Sequence, residues 1–130
     1  MYLLDTNALI ILMYGEVTDA KLSEEAMKVL AETDELYLSV VSLWEIAIKI
    51  KIGKINIKNS IQNIVSKCEE ENIKILPIKV EYMDETLRLP FNENHKDPFD
   101  RMILSTAISE DLTLISTDSK MKNYDVKIKS

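Results

Sequence analysis

Two short apolar runs, each halted by a carboxylate, limit the folds open to this chain more than any other feature. Met1-Tyr2-Leu3-Leu4 stops at Asp5, and Leu112-Thr113-Leu114-Ile115-Ser116 stops at Thr117-Asp118. Both read as strands buried on two faces, and helix-like sequence from Ala8 to Met13 follows the first. Buried strands interleaved with helices define a parallel sheet covered on both sides. Functional sites in such sheets gather outside the carboxyl ends of the strands, so Asp5 and Asp118 are expected on one edge.

The stretch from His95 to Asp118 supplies more acids and a helix. Asp97 followed by Pro98 marks a helix start, because the carboxylate caps free N–H groups and the ring pre-sets φ for the first helical position. From there Phe99, Met102, Ile103, Thr106 and Ala107 share one face at helical spacing, and Asp100 points off it. Asp97 and Asp100 also have a plain structural explanation, as a cap and a partner for the helix dipole.

Between these ends, Leu22-Ser23-Glu24-Glu25 predicts a helix capped by Ser23, with Met27 and Leu30 on its apolar stripe. Leu36 to Ser39 reads as a strand leading into a helix capped by Ser39 or Ser42. The choice matters for Glu45. Capped by Ser42, Glu45 is the fourth member of a capping box and only satisfies a backbone N–H; capped by Ser39, it lies too far in and is available to a site. Glu45 to Ile57 fits a strand as well as a helix; a helix through about Ile52 is preferred, since Glu45 and Lys49 form an i,i+4 pair and Gly53 suits a helix end. Lys49, Lys51, Lys54 and Lys58 form the one basic run, either a solvated face or a track for phosphates. Ser60 to about Asn72 reads as a helix, Ile73 to Leu76 as a strand, Val80 to Leu89 as a helix stopped by Pro90, and Tyr124 to Lys129 as an edge strand.

At 130 residues and 46% apolar composition, the chain fits one domain spanning 1–130. Cys68 is the lone cysteine and sits on the Ile61, Ile64, Val65 stripe, which makes it core filler and excludes a disulfide framework. Trp44 and the six methionines read as core or interface. No basic n-region precedes the first apolar run, Asp5 interrupts it, and no stretch is a membrane span, so a cytoplasmic protein is expected. A net charge of −6 is unfavourable for phosphate binding unless a divalent metal changes the local balance.

LLDTN at the start, SLWEIAIK in the middle, and HKDPFDRMILSTA and LISTD near the end occur in an order that resembles PIN-domain proteins of the VapC-like toxin group. The resemblance covers essentially the whole chain. It implies a three-layer α/β/α sandwich around a parallel sheet of four or five strands. It also implies that Asp5, Glu45, Asp100 and Asp118 match an acidic quartet holding Mg²⁺ or Mn²⁺ for hydrolysis of RNA. Asp97 matches an accessory acid or a cap, and Thr6, Asn7 and Thr117 stand beside the matched acids, placed to orient them or an attacking water. A cognate antitoxin and a toxin homodimer are implied partners. The acidic net charge is the one departure from what RNA binding needs.

The chemistry is consistent with that resemblance. Carboxylates crowded into one pocket repel one another, and a hard divalent cation removes the conflict while activating water, with no histidine or cysteine required. His95, the single histidine, is either a general base or a loop residue bonded to backbone. Two other readings stay open: a Mg²⁺-dependent phosphohydrolase using Asp5 as nucleophile, weakened by the lack of a second carboxylate at Asn7, and a non-catalytic binding protein whose acids are caps.

Overall fold

The computed structural model describes residues 1–91, 97–118, 121 and 128–129. Five strands form one parallel sheet: β1 (Tyr2–Leu4), β2 (Leu36–Ser39), β3 (Ile73–Leu76), β4 (Thr113–Ile115) and β5 (Ile128–Lys129), in the order β3-β2-β1-β4-β5. β1 is central, pairing Leu4 with Leu38 on one side and with Ile115 on the other. The order departs from β1 in both directions, so the gap between β1 and β4 is the topological switch point, where a parallel sheet opens a crevice at its carboxyl edge.

Successive strand side chains point to opposite faces, and the sequence places an apolar residue at both. Leu4, Leu38 and Ile115 bury into a core with α1 (Thr6–Tyr14), α2 (Glu24–Glu32) and α4 (Ile61–Glu70). Leu3 and Leu114 bury into a second core with Ile103, Leu104 and Ala107 of α6 (Pro98–Ser109), which packs on α5 (Val80–Arg88). Helix α3 (Val40–Lys51) gives Leu43 and Ile46 to the first core and Val41 to the second. These are the helix–sheet–helix layers expected of a PIN-like sandwich.

The expected helix starts lie at Ser23, Ser60 and Asp97, whose side chains accept from Ala26, Asn63 and both Phe99 and Asp100 N–H groups. Met27, on the apolar stripe of α2 and read as core or interface, is 46% exposed, and α2 buries only Ala26 fully. Two details differ from the sequence reading. Helix α4 ends at Glu70, short of Asn72, whose φ of +59° turns the chain toward β3. Of the Tyr124–Lys129 segment, Ile128–Lys129 forms β5 beside β4; 122–127 lie outside the described residues.

Helix α3 stops as its sequence requires. Gly53 adopts φ +77°, its N–H donates to the Ile50 carbonyl at 3.1 Å, and the Lys54 N–H reaches back to the Lys49 carbonyl at 2.9 Å. This paired reversal satisfies carbonyls that the last turn leaves open. A Cβ at Gly53 meets nothing within 4 Å, so substitution there costs only the left-handed backbone conformation. Gly53→Ala is expected to lower stability by about 1 kcal/mol, partly offset through the unfolded chain, as read from the urea midpoint. An unchanged midpoint would contradict that reading of the helix end.

Candidate functional site

Asp5 does two structural jobs at the end of β1. Its backbone N–H donates to the Ile115 carbonyl at 3.0 Å, joining β1 to β4 at the switch point, and its carboxylate caps α1 by accepting from the Ala8 N–H at 2.7 Å. The residue is 3% exposed. Burial pushes its carboxyl up to about 6, with the Ser116 hydroxyl and the Ala8 N–H pulling down and the Asp100 and Asp118 charges adding to the rise. A dipole cap alone does not need a buried, charge-crowded carboxyl.

Glu45 reaches the same place from α3. Ser39, not Ser42, caps that helix, its hydroxyl accepting from the Val41 N–H at 3.1 Å. Glu45 is therefore well inside the helix and is no capping-box member. Its carboxylate accepts the Thr6 hydroxyl proton at 2.5 Å. Thr6 has one proton to give, so the 2.9 Å contact between its oxygen and that of Ser42 has Ser42 as donor. The fully buried Ser42 thus feeds a chain Ser42–Thr6–Glu45 that fixes the carboxylate. On its other side Glu45 pairs with Lys49 at 3.4 Å, and the Lys49 ammonium donates to the Asn7 side-chain oxygen at 3.5 Å.

The remaining acids arrive from α6 and β4. Asp97 caps α6 and Asp100 stands in its first turn. The adjacent Arg101 turns the other way, donating to the Thr86 and Pro90 carbonyls at the end of α5, both at 3.1 Å. Asp118 follows β4, its N–H donating to the Ser116 hydroxyl oxygen at 3.0 Å. One cavity of about 260 Å³ is lined by Asp5, Glu45, Asp97, Asp100 and Asp118 together with Thr6, Asn7, Lys49 and Lys54. Its walls are carboxylates, a hydroxyl, an amide and two ammonium groups, an oxygen-rich donor set of the type a hard cation takes. Among the described residues, no three His, Cys, Asp or Glu side chains form a ready-made metal cage.

The structure thus brings Asp5, Glu45, Asp100, Asp118, Asp97, Thr6 and Asn7 to one cavity. Thr117 is exposed and does not line it; its neighbour Ser116, 1% exposed, instead contacts both Asp5 and Asp118. Alternation along the strand is the signal that favoured Ser116, since Leu114 and Ser116 share a side-chain direction opposite to Ile115. Ser42 and Lys54 were also missed as site residues, the first because its role as a candidate cap masked it. His95 lies outside the described residues. Cys68 is buried in the first core, where burial pushes its thiol up, consistent with filler. Trp44, read as core or interface, is 61% exposed and meets Phe99 edge-on at 5.7 Å at the surface.

A PIN domain profile matches residues 2–127. The chain belongs to the PIN-domain family. None of the curated proteins matches it in sequence. Solved structures share the PIN fold across their length. A toxin–antitoxin complex from Klebsiella pneumoniae aligns with TM-score 0.64 and 21% identity, over 100% of this chain and 97% of that one. FitAcB from Neisseria gonorrhoeae aligns with TM-score 0.65 and 19% identity, over 100% and 97%. VapBC2 from Rickettsia felis, bound to a DNA fragment from its promoter, aligns with TM-score 0.68 and 18% identity, over 98% and 96%. At these identities the likeness is one of fold.

The raised Asp5 carboxyl gives this PIN domain a signature in its stability. The folded protein holds a proton on Asp5 up to about pH 6, while the unfolded chain releases it near 3.8. Stability contributed by Asp5 therefore falls as pH rises from about 4 to about 6, and the full penalty, about 3 kcal/mol, is present above that window. Asn caps as well as Asp, so Asp5→Asn is expected to be more stable than wild type at pH 7 in chelator by up to about 3 kcal/mol, and no more stable at pH 4. Urea melts at the two pH values check this; equal stability at pH 7 would show that burial does not penalise the ionised Asp5 carboxylate.

Proposed function

We propose that this PIN domain is a divalent-metal-dependent endoribonuclease and the toxin of a toxin–antitoxin pair. The observation that carries the reading is the convergence of five carboxylates from four segments on one cavity at the sheet's switch point. Membership of the PIN family supports a nuclease, and the toxin–antitoxin assemblies among proteins of the same fold support the biological role.

The donor set fits Mg²⁺ or Mn²⁺. Burial and the nearby Asp100 and Asp118 charges raise the cost of ionising Asp5, a cost that a cation relieves, and among the described residues the polar groups lining the cavity besides two lysines are oxygen donors and the Asn7 amide. Mg²⁺ keeps several waters and takes one or two protein carboxylates per ion, which the carboxylates lining the cavity can supply. Asp5, Asp100 and Asp118 are the ligands, with Glu45 either a fourth or the acceptor for a water proton. When bound, the ion lowers the pKa of a coordinated water and offsets charge on the phosphodiester. The chain's own residues fix the geometry: Ala8 and Ser116 hold the Asp5 carboxylate, and Ser42 and Thr6 hold that of Glu45. Two donors and near-complete burial leave Asp5 poorly placed to attack phosphorus itself, which disfavours the aspartyl-nucleophile reading.

The partner surfaces follow from exposed apolar groups. Val40, Trp44, Ile48 and Ile52 recur every fourth residue along α3, and Val80, Met83 and Leu87 face outward on α5. Helix α6 packs between these helices, so they flank one face, which is the homodimer surface. A groove of about 470 Å³ beside α1 and α2, lined by Leu12, Met13, Met27, Leu30 and Ile73, receives an apolar antitoxin helix. A separate basic segment of the antitoxin pairs with the cavity acids, which lie at the carboxyl edge of the sheet, whereas the groove lies at its amino edge.

Asp100→Asn is expected to abolish RNA cleavage, a loss of more than about a hundredfold, while leaving the thermal melt intact, because it removes charge but not shape. Chelator-treated wild type should be equally silent and regain activity with Mn²⁺. Cleavage by metal-stripped protein at the rate of the loaded protein would sink the mechanism; a folded wild type with no Mn²⁺ site would leave a non-catalytic binding module.

A further inference from the structure

An acidic chain with an acidic cavity has a problem if its substrate is a polyanion. At a net charge of −6 the protein repels RNA at long range, and the five carboxylates repel it again at the site. A metal ion balances the phosphate being cleaved, not the phosphates on either side of it. Lys49 and Lys54 are the positively charged groups among the described residues lining this cavity. We propose that Lys49 and Lys54 form the phosphate grip of the site, holding backbone phosphates adjacent to the scissile one. The proposal rests on the ribonuclease reading.

Both lysines are placed by identifiable structure. Lys49 is only 24% exposed at its side chain, held between Glu45 and Asn7 at the cavity wall. Lys54 is exposed and comes back to the same cavity because the Gly53 reversal folds the chain over the end of α3, bonding the Lys54 N–H to the Lys49 carbonyl. Lys51 and Lys58, from the same basic run, are exposed and do not line the cavity. The run is thus split, two lysines at the site and two away from it. A helix C-terminus is the negative pole of its dipole, so the backbone there does not attract anions and the two ammonium groups must supply the attraction. An ordinary i,i+4 ion pair accounts for Lys49 meeting Glu45, but not for Lys54 returning to the cavity.

The test compares two variants of equal charge change in the full chain: Lys49→Gln/Lys54→Gln and Lys51→Gln/Lys58→Gln. With Mn²⁺ and single-stranded RNA, the first pair should raise KM at least about tenfold with a smaller change in kcat. It should also flatten the dependence of log(kcat/KM) on log salt by roughly 1.4, two phosphate contacts at about 0.7 each. The second pair should move neither quantity comparably. Mn²⁺ titration followed by calorimetry should show no weakening in either pair, which separates phosphate grip from metal binding. Lys54→Gln alone, at an exposed position without a helix partner to lose, should give about half the change in slope. If wild type cleaves RNA and the two pairs behave alike, the grip is overturned while the nuclease reading stands. If wild type neither cleaves nor binds RNA in a salt-dependent way, both fall.

Discussion

Burial of one carboxylate beside two others at the switch point is the constraint on which the rest of the structure turns. Asp5 is buried, ties β1 to β4 through its backbone and caps α1 with its side chain, so it cannot move away from Asp100 and Asp118 without dismantling the centre of the sheet. The fold thus holds like charges together that would separate in a flexible chain. Its stabilising resource is the pair of apolar layers on either face, where Leu3 and Leu4, then Leu114 and Ile115, alternate between two separate cores. Short strands suffice because the three residues of β1 and β4 bury side chains on both faces of the sheet.

The polar surroundings of the acids are asymmetric. Ser116 serves two acids at once, accepting from the Asp118 N–H and donating to Asp5, whereas Glu45 is held through the relay from Ser42 and Thr6 and screened by Lys49. Asp5 is thus buried beside two further acids at the β1–β4 crevice, while Glu45 is paired with Lys49. Arg101, adjacent to Asp100, is directed to the carbonyls at the end of α5.

Much of this was legible in the sequence, for particular reasons. The Asp5 and Asp118 stops mark strand ends because a strand buried on both faces does not run on through a charged residue, and Asp97-Pro98 fixes the start of α6 to the residue. The Ser39 cap, which frees Glu45 from a capping box, was one of two possibilities that only packing decides: Ser42 is fully buried against Thr6, a contact 36 residues distant in sequence. Ser116 was hidden by the same kind of ambiguity, since strand ends shift by a residue and Thr117 offers the same chemistry. Met27 and Trp44 could be read only as core or interface, because helical periodicity identifies an apolar face without saying whether this chain or another covers it; both are exposed.

The account stands or falls on whether a cation sits where the three acids meet. Anomalous diffraction at the manganese edge, from crystals of the wild-type protein grown with Mn²⁺, tests this directly. The expected map has its strongest peak in the cavity within coordination distance of Asp5 and at least one of Asp100 and Asp118. A well-ordered cavity with no peak at saturating Mn²⁺, or a peak elsewhere on the chain alone, would contradict it.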